Sequence, residues 1–494
     1  MSKERPVRGQ KKDKEFDKLI LENERLRDEK KRLQETIKKL KDRIEDLEIE
    51  LKSAKHAAHK SLSTPSSKVF PKSNRPPKGT RPRGAPKGHR GASLKIPDKI
   101  DDEKVHIPET CPICGCHELG ETEYEGWDQN VFDIPPPRIR VVRHKYILKW
   151  CPKCKKKVSM RSGETLPHRN YGPNIATITA FFEKLGIPLR KIQLIIKTLF
   201  GREISVPELK DLSNLVGKGV EPEYQKLKEE VRTAPGVNAD ETGFRIDGIN
   251  NWCFDFVWKD GVVYVIHRSR GQTVPNEILG EDFDGCIGHD GWSAYNSVGG
   301  NHQLDYVHVN RKLQQVEVKR GVKDRGFLKP NPVKFRNRGR PSKGVLEFLR
   351  FADKLRTIMR DAVKFTEREP EPTPGKRQEM YDTLLKRLDE LKAGSWTDPD
   401  VIRICKYVDR EQMFTFVIHP DISWENNAAE RAVRVIASIR NNTGGRRTRK
   451  GADSLQALLS VFETWRKRGL DVYKEAKVAL IRHVGRVSKS DAMA

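Results

Sequence analysis

Leucine recurs at a strict seven-residue spacing at Leu19, Leu26, Leu33, Leu40 and Leu47, and Phe16, Asn23, Lys30, Ile37 and Ile44 stand three positions before each of them, with Leu51 continuing that second series. Leucine at d with Ile or Asn at a is the pattern of a parallel two-stranded coiled coil, in which a buried Asn23 fixes register and dimer state at some cost in stability. The spacing predicts a coiled coil over residues 1–52; the alternative is one charged helix on the protein's own surface. Over residues 53–97 the periodicity disappears. Pro, Gly and Ser abound, no acid occurs between Glu50 and Asp98, and Lys68, Lys72, Arg75, Lys78, Arg81, Arg83, Lys87 and Arg90 accumulate. Such a stretch cannot bury enough apolar surface to fold alone. It reads as a basic disordered linker, able to lie along a polyanion or to act as a solvated tether.

The segment 98–165 carries Cys111-Pro-Ile-Cys114 and Cys151-Pro-Lys-Cys154 around an insert with an expected strand at Arg138 to Leu148. Tetrahedral zinc takes four soft ligands, and each CxxC turn offers two thiolates to one ion, so the segment reads as a zinc ribbon with Cys111, Cys114, Cys151 and Cys154 as ligands. Cys116 competes with Cys114, but the two matching Cys-Pro-x-Cys knuckles favour the first four. Four unrelated thiols or a redox pair are the alternatives. Residues 166–232 turn helical: Ile175, Ile178, Phe181, Phe182 and Leu185 share a face, Gly186-Ile187-Pro188 ends that helix, a second covers Leu189 to Phe200, and a third begins near Val206-Pro207. Three helices beside a basic tether suit either a helix-turn-helix DNA reader or plain packing.

From Pro235 the period shortens to two. Gly236 to Asp240 reads as a short strand ending on a carboxylate. Trp252 to Trp258 and Val262 to His267 flank a hairpin turn at Lys259-Asp260-Gly261, a helix follows at Thr273 to Leu279, and Gly285 to Gly288 is a strand delivering His289-Asp290-Gly291. This order predicts an RNase H-like mixed sheet over 233–310 and 400–485, with the first and fourth strands side by side and their two carboxylates at one spot. A third carboxylate is expected from a helix at Trp424 to Arg431, capped by Asp421 or Ser423, where Ala428, Ala429, Ala432 and Val433 allow close packing and Glu430 shares a face with Asn426 and Asn427. Asp240, Asp290 and Glu430 are hard oxygen donors that suit Mg2+ or Mn2+. Two such ions ~3.5–4 Å apart stabilise the attacking and leaving oxygens at a phosphodiester. Taken singly, each acid reads as a turn former or a solvated side chain; the ordered combination changes that. Glu430 follows Asp290 by 140 positions, too long for one connection in a compact sheet, so 311–399 reads as an inserted basic and helical subdomain, with helices at Leu346 to Phe365 and Gln378 to Leu391.

Charge sharpens the picture. The 494 residues carry 96 Lys and Arg against 69 Asp and Glu, a formal net charge of +27. This excess favours a nucleic-acid partner over an anionic membrane surface. Arg431, Arg434, Arg440, Arg446 and Arg447 follow Glu430 closely, and Gly444-Gly445 would let that backbone approach DNA. No apolar run approaches the ~18 residues of a membrane span, and the polar N-terminus lacks a signal-peptide core. A cytoplasmic, nucleoid-associated protein is expected, with its eight cysteines as thiols or metal ligands.

The stretches Ala239-Asp240-Glu241-Thr242-Gly243, His289-Asp290-Gly291-Trp292-Ser293-Ala294-Tyr295 and Asn426-Asn427-Ala428-Ala429-Glu430-Arg431 resemble the DDE transposases of the IS66 insertion-sequence family. The leucine zipper, CxxC segment and basic helical segment also occur there in this order, so the resemblance covers nearly the whole chain. It implies an acidic triad at Asp240, Asp290 and Glu430, two Mg2+ (or Mn2+) per active site, one structural zinc, double-stranded DNA as substrate, a homodimer or higher oligomer, and helper proteins of the same element. The family places a Cys-x-x-His-x-x-Arg-like segment after the second Asp. Here His308 and Arg311 remain without the Cys, and are expected to contact phosphate or the scissile site. An RNase H-like nuclease without strand transfer and a zipper-dimerised, zinc-containing regulator are the competing readings.

Overall fold

The computed structural model describes residues 162–322, 341–368 and 371–491, most of 100–159, and the isolated positions Glu22, Leu26, Glu29 and Val333. Glu22, Leu26 and Glu29 are helical; otherwise the expected coiled coil and basic linker lie outside the described residues.

A small antiparallel pair, β1 (Lys149–Cys151) and β2 (Lys156–Val158), comes first. The strand expected at Arg138 to Leu148 does not form. Val141 and Ile147 are exposed there, and alternation yields a strand only where a neighbour accepts its hydrogen bonds and its apolar face.

Three helices follow: α1 (Pro173–Lys184), α2 (Leu189–Phe200) and α3 (Val206–Arg232). The third is 27 residues long; the Ser205 side chain caps it by accepting from the Glu208 amide, and Pro207 sits in its first turn, where a missing N–H costs nothing. The sheet is built from β3 (Gly236–Ile246), β4 (Ile249–Trp258), β5 (Gly261–His267), β6 (Cys286–His289) and β7 (Asn301–Leu304), with α4 (Thr273–Ile278) before β6. Its order is β5-β4-β3-β6-β7. β3, β4 and β5 form an antiparallel meander, whereas β6 and β7 run parallel to β3. β3 extends six residues past Asp240, to Ile246, because β4 pairs with it from Asn238 to the end. The β4–β5 turn is tight. A Cβ at Gly261 would lie 2.2 Å from the Trp258 ring, so only glycine fits.

Residues i and i+2 of a strand share a face, and the two faces of this sheet have different covers. Val237, Ala239, Phe254, Phe256, Val263 and Val265 pack with Leu212, Val216 and Val220 of α3. On the other face Phe244, Cys253, Val257, Tyr264 and Ile266 meet Ile436 and Ile439 of α10 (Asn427–Thr443) and Leu455 and Leu459 of α11 (Arg449–Lys467). A last helix, α12 (Val472–Asp491), returns to α3: its Leu480 shares the first of these cores. The segment carrying α1 to α3 is thus joined to the sheet. Lys184 pairs with Glu463 at 2.5 Å, and Glu183 with Lys210 at 2.8 Å.

Between β7 and α10 lie α5 (Tyr306–Lys319), α6 (Lys343–Thr366), α7 (Pro374–Lys392), α8 (Pro399–Tyr407) and α9 (Thr415–Ile418). They enclose a core of their own, with Val309, Phe348, Phe351, Leu355, Leu384 and Phe416, that includes Cys286 and Leu304 at the β6–β7 edge. Within it Arg356 is fully buried; its guanidinium is held by both Glu317 carboxylate oxygens at 2.6 and 2.9 Å and by Asn310 at 2.8 Å. Among the described residues no helix is long and apolar enough to cross a membrane.

Candidate active site

β3 and β6 pair in parallel at Gly236–Cys286, Val237–Ile287 and Asn238–Gly288. Asp240 and Asp290 each lie two residues beyond the last of these pairs. Equal offsets on adjacent parallel strands bring the two carboxylates to the same level, on the face that Asn238 and Gly288 share. The Asp240 carboxyl is pushed up to about 7 by burial, by its neighbour Glu241 and by the Asp290 charge, while the Glu241 amide it accepts and His308 work the other way. Asp290 is half-buried, and its Oδ1 accepts the Trp292 amide at 2.9 Å.

The loop holding Asp290 is anchored on both sides. Gly291 has φ +84°, and a Cβ there would come within 2.9 Å of Leu304 and 3.0 Å of the Tyr407 hydroxyl. That hydroxyl donates to the Asp290 carbonyl at 2.8 Å, so α8 braces the loop. The Gly291 amide donates to His289 Nδ1 at 3.0 Å, His289 Nε2 meets His302 Nδ1 at 3.0 Å, and His302 Nε2 meets the Val298 carbonyl at 3.0 Å. This chain needs both rings neutral. Burial and the facing His302 ring push His289 down to about 3. On the opposite side of β3, Glu241 accepts from Arg270 at 2.6 and 2.9 Å and from the Tyr295 hydroxyl at 2.7 Å. The Arg270 guanidinium lies between the rings of Trp252 and Trp292, 4.6 and 4.0 Å from their centroids.

Asp305 and α5 supply the next groups. Asp305, at the position where the expected Cys is replaced, caps α5 by accepting the Val307 and His308 amides, and its Oδ2 also holds His308 Nδ1. Burial opposes a charge on the His308 ring, but Asp305 outweighs it and Asp290 adds to the rise. Arg311 donates to His308 Nε2 at 2.8 Å and approaches Glu430 at 3.8 Å. Glu430 lies in the first turn of α10, where the helix dipole favours a carboxylate. The side chains of Asp305, His308 and Glu430 come within 4.8 Å of one another, a group able to hold a cation. Asp305, however, already accepts three amides, counting Asn426, plus a ring N–H, which leaves it little capacity for a metal.

α10 is not capped by Asp421 or Ser423. Asn426 occupies the N-cap position without a side-chain cap, because its carboxamide is drawn to the Ala239 carbonyl at 2.8 Å. That bond fixes the start of α10, and so Glu430, against the residue preceding Asp240. Asp240 and Asp290 stand near one another beyond the β3–β6 pairing, whereas Glu430 groups with Asp305 and His308; among the described residues the three acids do not themselves form one close cluster.

Sequence reading missed four features here: Asp305, the His289–His302 pair, the Glu241–Arg270 pair and Asp255. Asp255 stands opposite Asp240 on β4. It is 1% exposed, neither carboxylate oxygen has a hydrogen-bond partner, and burial with Asp240 and Glu241 nearby raises its carboxyl well above the ordinary range. An Asp three residues before a His at a helix start was a legible capping signal. A lone Asp in the apolar run Cys253 to Trp258 gave none.

The basic run divides. Arg431, Arg434 and Arg447 are exposed, with Arg434 3.5 Å from Glu430. Arg440 turns inward to the Gly243 carbonyl and the Thr242 hydroxyl. Arg446 is buried against Glu183 at 3.0 Å; burial alone would raise the Glu183 carboxyl, but Arg446 and Lys210 hold it below its usual value. Arg440 and Arg446 thus turn into the fold and not toward solvent, although Nε and Nη2 of Arg446 are buried without a hydrogen-bond partner.

At the zinc segment, the Gly115 amide donates to the Cys111 carbonyl at 2.8 Å and the Cys111 amide to the Cys116 carbonyl at 2.9 Å, closing the first knuckle. Cys154 lies in the β1–β2 turn beside Cys151. Hydrogen bonds from the Cys114 and Ile113 amides lower the Cys111 thiol, and those from Cys154 and Lys153 lower Cys151. One thiol of each knuckle is thus shifted toward thiolate, the ligand form, whereas the hydrogen bond with Cys151 raises the Cys154 thiol. The structure forms the knuckles as two pairs and does not gather all four sulfurs into one group.

An acidic pair thus stands on adjacent strands of a mixed sheet, exposed arginines line α10 near Glu430, and a two-knuckle thiol segment precedes both in the chain. The family model described as the transposase IS66 family matches residues 172–454, and that of the zinc-finger binding domain of transposase IS66 matches residues 108–155. The chain belongs to the transposase IS66 family. It is also similar to uncharacterized protein y4hP of Sinorhizobium fredii, 23% identical over 408 residues that cover 76% of this chain and 71% of that protein.

Proposed function

We propose that this transposase is a metal-dependent enzyme with an RNase H-like catalytic core, which cuts DNA at transposon ends and joins the freed 3′-hydroxyl to target DNA, with Asp240, Asp290 and Glu430 as its acidic triad. The observation that carries the reading is the equal offset of Asp240 and Asp290 beyond the β3–β6 pairing, with Glu430 joined to them through His308.

The residues fit divalent cations. Burial and the neighbouring charges hold Asp240 at about 7, which a cation would relieve, and the donors are hard carboxylate oxygens of the kind Mg2+ or Mn2+ takes. Asp240, Asp290 and Glu430 would hold two ions, which would activate the attacking oxygen and offset charge on the leaving one. The chain's own residues do the rest. Asp305 orients His308. Arg311 stands 3.8 Å from Glu430 with its side chain 43% exposed, placed to meet a phosphate. Exposed Arg431 and Arg434 on α10, with Arg447 just beyond its end, carry the duplex backbone. Neither a Tyr nor a Ser serves as nucleophile in this reading, so water attacks first and the DNA 3′-hydroxyl second.

Cys111, Cys114, Cys151 and Cys154 would hold one structural zinc, whose binding supplies the energy that draws the two knuckles together. The N-terminal zipper would pair two chains so that two ends are handled in one complex on chromosomal DNA in the cytoplasm, with the basic linker giving each catalytic core reach. Helper proteins of the same element fit this scheme.

The test is strand joining. Incubated with labelled end duplexes, a target plasmid and Mg2+, the protein should yield a joined product as well as a nick. Nicking without joining would favour the hydrolytic nuclease, and sequence-dependent binding without either would favour the regulator.

A further inference from the structure

Asp255 is harder to explain than any other buried side chain. It lies in β4 directly opposite Asp240, so both carboxylates point to the face covered by α10. Directly opposed residues of an antiparallel pair have Cβ atoms roughly 4.5–5.5 Å apart, and like charges there repel. On its other side it faces Tyr264, whose hydroxyl is spent on the Ala432 carbonyl at 3.2 Å. Asp255 is 1% exposed, and neither of its oxygens has a hydrogen-bond partner. A buried polar group without a partner is costly, and a buried carboxylate more so. Two further buried atoms near Asp240 are equally without partners. One is Oδ1 of Asn426, whose carboxamide is fixed at Ala239; the other is Nδ2 of Asn238, two residues before Asp240 on its face. Asn426, 3% exposed and bonded to the residue preceding Asp240, thus brings a third unused oxygen.

We propose that Asp255 is a fourth carboxylate of the cation site, holding the ion on the Asp240 side together with Asp240. This rests on the metal-dependent reading of the site given above. It accounts for the opposed acids, because a divalent ion between strands turns a repulsive pair into a bridge. It also accounts for the absent partners, because a ligand oxygen is satisfied by the ion. The stoichiometry is consistent: Asp240, Asp255, Asp290 and Glu430 bring four negative charges to two divalent cations.

The test uses the full-length, zinc-loaded chain without DNA, titrated with Mn2+ by calorimetry and followed by thermal unfolding without and with Mn2+. Asp255→Asn keeps the shape and removes the charge. It should weaken Mn2+ binding by about tenfold or more, unfold at a higher temperature than wild type when no Mn2+ is added, and gain less from Mn2+. Should Asp255→Asn fail to fold, Asp255→Val serves, since a β-branched apolar residue suits a strand interior. Unchanged Mn2+ affinity and an unchanged Mn2+-induced shift would overturn the proposal and make Asp255 a neutral structural acid. Asp240→Asn and Asp290→Asn in the same titration separate the two levels. If they abolish binding while the Asp255 variants do not, this inference fails alone; if they too leave it intact, the metal-site reading fails with it.

Discussion

A proton and a metal ion compete for the Asp240 carboxylate, so pH is a direct probe of the site. Burial, Glu241 and Asp290 raise its carboxyl from the usual 3.8 to about 7. At pH 6 only about one-tenth of the metal-free protein then has Asp240 ionised, and at pH 5 about one-hundredth. Through Asp240 alone, apparent Mn2+ affinity should therefore fall about tenfold per pH unit below 7, and any proton displaced from Asp255 makes the fall steeper. An ordinary Asp would leave the affinity almost flat over that range. Stability carries the same sign. A carboxyl raised in the fold favours the folded state at low pH, and this contribution is lost as pH rises through the folded value. Metal-free protein should lose thermal stability between pH 5 and 8, whereas protein saturated with Mn2+ should not. Calorimetric titration at pH 5.5, 6.5, 7.5 and 8.5 measures the slope. A wild-type affinity that stays constant from pH 8 to 5.5 would refute the argument, because Asp240 would then be fully ionised without metal.

Other expectations follow from single features of the chain. Arg356→Ala removes the buried guanidinium that holds both Glu317 oxygens in the helical insertion, and should cost about 3–5 kcal/mol in denaturant unfolding; a cost below about 1 kcal/mol would mean that the pair is not buried. Cys→Ser at Cys111, Cys114, Cys151 or Cys154 should lower zinc content and expose residues 105–160 to proteolysis, and metal analysis finding no zinc in wild-type protein prepared without chelators would end the zinc assignment. Deleting residues 1–52 should abolish dimers in sedimentation and reduce paired-end joining more than single-end binding; a truncated protein that remains dimeric would give the zipper another task.

Much of the core was legible because it is written in local pattern. Alternation placed β4, β5 and the turn between them, and the strand-then-acid order placed Asp240 beside Asp290, since adjacent parallel strands with equal offsets follow from that order. The helices of the insertion were found with their ends off by a few residues, at Lys343–Thr366 and Pro374–Lys392. What failed was tertiary. Arg138 to Leu148 has the composition of a strand but no partner to pair with. Arg440 and Arg446 read as part of a solvent-facing basic run, yet β3 and Glu183 claim them. Asn426 looked like an ordinary helix-start residue, and only the fold shows its carboxamide tying α10 to β3. Asp255 could not be found from sequence, because its meaning lies in the register of β4 against β3.

The most direct test of the central claim is cleavage of a labelled transposon-end duplex by Asp240→Asn, Asp290→Asn and Glu430→Gln, each measured beside its affinity for the same DNA. The account predicts that all three lose cleavage by about 10²-fold or more while binding stays within a few-fold of wild type, because each removes a ligand and none removes a DNA contact. Wild-type cleavage by any one of them would remove that residue from the triad, with Glu425 the next candidate if the failure lies at Glu430.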